Sequence, residues 1–154
     1  MQEYFKKLYR YNYWANSKVA DILTEHNFGD EALKLYSHIL NAELTWAGRI
    51  TLLPIGKGIW DTRERSELKD LTEESRLAYE KILNEHTNFT TSISYINSLG
   101  AAYTEPLIVI LTQCTNHSNY HRAQIARIIR EKGYTPPSTD YILYYRESQA
   151  SKVS

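Results

Sequence analysis

Cysteine is almost absent from this 154-residue chain. Cys114 stands alone, so no intramolecular disulfide can form and no cluster of thiolates can hold zinc. Any metal site must lean on His, Asp or Glu. Long apolar runs are missing as well: the longest, "PLIVIL" at 106–111, falls far below the roughly 20 residues of a membrane-spanning helix. Net charge is lacking too. The 18 Lys plus Arg balance 18 Asp plus Glu, which disfavours a surface built to neutralise phosphates. At the amino terminus, "MQEYFKKLYRYNYWAN" scatters charges where a signal peptide would carry an apolar core. These absences describe a soluble chain with no membrane or nucleic-acid partner, expected in the cytoplasm. The length suits one domain, which we place at residues 1–146, with 147–154 as a frayed tail.

What the chain does contain is helical periodicity and aromatic side chains. From Glu3 to His26, Phe5, Leu8, Ala15, Val19, Ile22 and Leu23 share one face, with Asn12 the single polar residue at that spacing. "NFGDEA" supplies a turn, with Asp30 as a candidate cap for a second helix running to Leu52. In that helix Tyr36, Ile39, Glu43, Trp46 and Ile50 form one stripe, and His38, Ala42, Thr45 and Arg49 its neighbour. Pro54, Gly56 and Gly58 then break the pattern into a long loop. A third helix is expected from Thr72, as N-cap, to Asn88, and "TTSISYINSLGAAYTEP" reads as a short β-hairpin. The last long helix is expected to start at Pro106 and to stop at Lys132 before Gly133 and the Pro136-Pro137 pair. "DYILYYRE" in the tail suits one or two helical turns against the bundle. Four amphipathic helices plus a hairpin point to an all-α four-helix bundle, and the long second connection permits a crossover.

The chemistry concentrates in "NHSNYHRAQIARIIR" at 116–130. Its inward stripe runs through Leu107, Cys114, His117, His121, Ile125 and Ile128, so two imidazoles continue an apolar face. An i, i+4 pair holds its Cβ atoms about 5–6 Å apart, and both rings can reach one cation. The metalloprotease pattern HExxH is excluded, because Ser118 stands where its Glu is required. A third ligand is needed for a site. His38 is the best placed, mid-helix at the edge of an inward stripe, whereas His26 and His86 lie at helix ends where solvated or dipole-paired imidazoles are common. Periodicity puts His38 ahead without deciding the matter. Arg49 and Arg122 read as groups to meet a carboxylate or as ordinary surface ion-pair partners, and Tyr36, Trp46 and Tyr120 as core residues or lining for a mouth.

"YNYWAN" at 11–16, "SHILNAELTWAGRI" at 37–50 and "NHSNYHRAQI" at 116–125 together resemble the DinB-like family of damage-inducible bacterial proteins, in order and spacing across most of the chain. The resemblance implies a four-helix bundle of down-up-up-down connectivity. It also implies a divalent metal cation, Zn, Ni or another transition metal, held by His38, His117 and His121. Two departures, Ala123 for a frequent Gly and Tyr120 for a further His, touch no ligand position. The family includes enzymes that transfer bacillithiol or other small thiols to electrophiles, so metal-dependent thiol transfer or hydrolysis is the implied activity. A metal-binding stress protein without turnover is the alternative. A homodimer is the implied assembly.

Overall fold

The helical periodicity resolves into four long helices in the computed structural model, which describes residues 1–54 and 56–150. They are α1 (Gln2–Glu25), α2 (Asp30–Thr51), α3 (Leu68–Glu85) and α4 (Leu107–Glu131), followed by a short α5 (Tyr141–Ala150). A two-stranded hairpin, β1 (Ser92–Ile96) and β2 (Ala102–Pro106), precedes α4, in antiparallel register with Tyr95 opposite Tyr103. Its turn closes on Asn97, whose Oδ1 accepts from Leu99 N and Ala101 N, and on Gly100 at a φ of +82°.

The connectivity follows from which residues meet. Tyr36 shares a hydrogen bond with Thr72, and Glu43 O accepts from Tyr79 Oη, so α2 and α3 run parallel. Tyr9 Oη donates to Leu111 O and Asn16 Oδ1 accepts from Arg122, which makes α1 and α4 parallel. Gln2 reaches Leu83 O while Asp21 pairs with Lys69, so α1 and α3 are antiparallel. Down-up-up-down is the result, with the crossover carried by residues 52–67.

Several element boundaries differ from the sequence reading. α3 begins four residues before Thr72, because Glu64 and Glu67 form a reciprocal capping box around a 3-10 turn over Arg65–Glu67. Thr72 is therefore not a cap; its hydroxyl is buried, bonding Leu68 O and Tyr36 Oη. Gly29 (φ +95°) takes the cap position of α2, leaving Asp30 and Glu31 in the first turn, where their charges still favour the helix dipole. Pro106 both ends β2 and is the N-cap of α4, one residue before the helix begins. The first amides of α4 are satisfied by the hairpin approach, Leu107 N on Thr91 O and Ile108 N on Phe89 O. The proposed tail is helical at 147–150 as the end of α5, and Glu147 accepts from Trp14 Nε1 at 3.0 Å. Residues 151–154 lie outside the described residues.

Two apolar clusters fill the bundle. One, at the hairpin end, gathers Phe5, Tyr9, Tyr79, Phe89, Leu107 and Leu111; the other gathers Val19, Leu23, Phe28, Tyr36, Leu40, Leu68 and Ile129. Between them sits a buried polar layer of Asn12, Asn16, Glu43, Ser75, Ser118 and Arg122. Glu43 accepts from Asn12, Asn16, Ser75 and Ser118, and Arg122 Nη1 donates to Oδ1 of both asparagines at 2.7 Å. A slip of any helix by one turn would bury Glu43 and Arg122 without partners, so this layer sets the register in which all four helices meet.

Candidate metal centre

That register brings α2 and α4 together antiparallel, with Glu43 against Ser118 and, a turn away, His38 against His117 and His121. Each of the three histidines offers a ring nitrogen within 4.8 Å of the others. His38 is 4% and His121 8% exposed, and His117 is half-buried. His38 Nδ1 lies 2.9 Å from Ile59 O, and since a carbonyl only accepts, Nδ1 carries the proton and Nε2 presents a lone pair. His121 Nδ1 is likewise 2.6 Å from Gln124 Oε1, which leaves its Nε2 for a ligand. Such outward hydrogen bonds orient and fix the tautomer of metal-binding imidazoles.

The Nε2 atoms of His38 and His117 face each other at 3.0 Å. In a tetrahedral zinc site, with bonds of about 2.0–2.1 Å, ligand nitrogens lie about 3.3 Å apart. The spacing of this pair is close to that of two ligands on one small cation, and the three nitrogens together could hold a metal ion. Burial, followed by the neighbouring imidazoles of His121 and His38, holds His117 down at about 4. Burial also lowers His38, with His121 adding to the effect and the Ile59 carbonyl opposing it. Neutral imidazole is the form that ligates a metal.

The remaining sequence-level candidates separate cleanly. His26 is the C-cap residue of α1 and His86 that of α3, away from the cluster. Tyr36 is fully buried, and Trp46 stands edge-on to Tyr95. Tyr120 alone of the aromatic candidates adjoins the site, 63% exposed with its ring 5.0 Å from that of His121. Neither arginine is a surface ion-pair partner. Arg122 is 2% exposed inside the polar layer, and Arg49 lies on the rings of Trp46 and Tyr95 and donates to Ile96 O.

Periodicity missed Trp60. Its indole lies flat on the His38 imidazole, with centroids 3.5 Å apart and planes 5° from parallel. "GKGIWD" has no regular repeat to announce such a contact. Asn41 holds this loop in place, donating to Gly58 O and Asp61 O and accepting from Arg63 Nε. Gln124 was more legible, since position i+3 from His121 is within reach on the same helix.

Comparison with known proteins agrees with this geometry. The model of the DinB family matches residues 1–152. Protein DinB of Bacillus subtilis (strain 168) is 25% identical over 172 residues, spanning 99% of this chain and 100% of that one. The crystal structure of a DinB-like protein from Bacillus cereus ATCC 10987 superposes with a TM-score of 0.68 at 22% identity, covering 88% of this chain and 95% of that one. Matched over nearly its whole length, with a down-up-up-down bundle and the three histidines drawn together, the chain belongs to the DinB family.

Proposed function

We propose that this protein binds a divalent transition-metal cation through His38, His117 and His121 and serves as a metal-dependent enzyme on small molecules, transferring a low-molecular-weight thiol to an electrophile or hydrolysing a substrate. The observation that carries the reading is the convergence of three imidazoles, two of them with the proton held on Nδ1. When bound by three neutral nitrogens, such an ion keeps a coordination position open and acts as a Lewis acid that brings a thiol or water towards ionisation near neutral pH. Imidazole suits zinc, nickel, copper and iron alike, so Zn and Ni both satisfy the donor set.

The chain's own residues do the remaining work. Ile59 O and Gln124 orient two of the ligands, Trp60 covers one face of His38, and the exposed ring of Tyr120 offers an apolar wall beside His121. The balanced formal charge speaks against a nucleic-acid partner, and among the described residues no helix is long and apolar enough to cross a membrane; the cytoplasmic homodimer is proposed from the family resemblance alone. A non-enzymatic metal-binding role is the second reading. It is favoured by the cluster's composition, which among the described residues contains no carboxylate to serve as a base.

Metal content of untagged wild type and of His117→Ala tests the site. Stoichiometric metal lost in the variant is expected, and equal content in both would overturn it. Incubating the loaded protein with bacillithiol or glutathione and a chlorinated or epoxide electrophile, with and without chelator, then separates the two readings. A chelator-sensitive product supports the enzyme; none with any thiol supports the second reading.

A further inference from the structure

A second recess opens on the groove between α1 and α3, across the bundle from the histidines, and the metal centre makes no use of it. This cavity of about 120 Å³ is lined by the rings of Tyr9, Tyr13 and Tyr79, with Glu43 reaching it from α2. Glu43 is only 3% exposed. Its Oε1 accepts from Asn12 at 2.7 Å, Asn16 at 3.0 Å and Ser118 at 2.6 Å, whereas Oε2 accepts only from Ser75, itself a lining residue. Oε2, with a single donor, is the less saturated of the two oxygens, and Glu43 lines the cavity.

All four donors to Glu43 are neutral. The layer's cation, Arg122, does not line the cavity; it donates to the oxygens of Asn12 and Asn16, lies over the Tyr11 ring and acts on Glu43 through charge, with no direct hydrogen bond to the carboxylate. Inside, then, the recess presents a carboxylate between aromatic faces, an environment that attracts an ammonium group. Its mouth has the opposite sign. Lys6, Arg10 and Arg76 stand there with Glu80; Arg76 is already held by Glu73 and Glu80, and Lys6 lies 3.7 Å from Glu3.

The geometry points to a second ligand site that takes a small zwitterionic amine, its ammonium on Glu43 Oε2 among the tyrosine rings and its carboxylate at Arg10 and Lys6. A simple anion would meet Glu43 and a simple amine the cationic mouth, so each satisfies one end only. The site is independent of the metal reading.

Calorimetric titration of the full-length, metal-free protein with glycine, 4-aminobutyrate and 6-aminohexanoate tests it, with butylamine and butyrate as one-ended probes. At least one zwitterion is expected to bind saturably, about tenfold or more tighter than either one-ended probe. Glu43→Gln should abolish that binding. Arg10→Ala, an exposed change that leaves the fold intact, should weaken the zwitterion about tenfold and spare butylamine, while His117→Ala should bind as wild type does. No saturable zwitterion, equal affinity for the one-ended probes, or an unchanged affinity in Arg10→Ala would overturn the proposal and leave a cavity that holds water.

Discussion

Replacing Ser118 by alanine probes the polar layer with the least change of shape. The side chain is 0% exposed, and its hydroxyl lies 2.6 Å from Glu43 Oε1 and 3.0 Å from Cys114 O. One hydroxyl carries one proton, and the shorter contact to the carboxylate takes it. A hydrogen bond to a charged group contributes about 1.5–3 kcal/mol. Asn12 and Asn16 still serve Glu43 Oε1 in the variant, so the carboxylate is not orphaned and the lower part of that range applies, about 1.5–2 kcal/mol. In a chain of this size, each kcal/mol lowers the melting temperature by about 2–4 °C, which gives a fall of about 3–8 °C. Urea unfolding followed by circular dichroism should show a lower midpoint at unchanged slope. Thr112→Ala is the control, since that exposed hydroxyl bonds only Ile108 O of its own helix, and its change should stay within about 0.5 kcal/mol. A Ser118→Ala loss no greater than the control's would refute the anchoring of α4 to α2 through Glu43.

Burial pushes the Cys114 thiol up to about 12, so iodoacetamide at pH 8 should label it only after urea unfolding; prompt labelling of the native protein would contradict the packing of that position. Metal-free protein should lose stability through His117 as pH falls from about 6.5 to about 4, because the unfolded chain takes up a proton that the folded site, held at about 4, refuses. Above that window the contribution is flat. The difference in urea midpoint between wild type and His117→Gln isolates it, and a difference that moves in wild type's favour on acidification would have the wrong sign. Asn41→Ala removes three hydrogen bonds that hold the 58–63 loop, so trypsin should cut at Arg63 several-fold faster; an unchanged cleavage rate would show that the loop is secured elsewhere.

The histidine cluster was legible because one helix delivers two of its members by spacing alone. His117 and His121 lie four apart on a continuous helix, so their convergence is a local property of α4. His38 could be ranked first from its place on α2, and the family resemblance singled it out. Its distance from the other two depends on contacts between residues 79 positions apart. Arg122 shows the limit of local reading: an arginine beside a histidine on an amphipathic helix is indistinguishable from a surface charge until Asn12 and Asn16 arrive from 110 and 106 residues away. Thr72 fails for the same reason, since its value as a cap was local while Tyr36 draws it into the core.

Periodicity, turn chemistry and composition thus determined by themselves the four helices, the hairpin before the last of them, the exclusion of disulfide and thiolate-metal chemistry, and the helix on which the paired imidazoles lie. These are properties of nearest neighbours along the chain, governed by backbone geometry and by which side chains share a face. Tertiary structure alone decided the buried layer around Glu43 and Arg122, the flat stacking of Trp60 on His38 and the recess between α1 and α3. Each requires groups from separate helices or an aperiodic loop to meet. Where a polar side chain is worth burying depends on partners that only the packed bundle supplies.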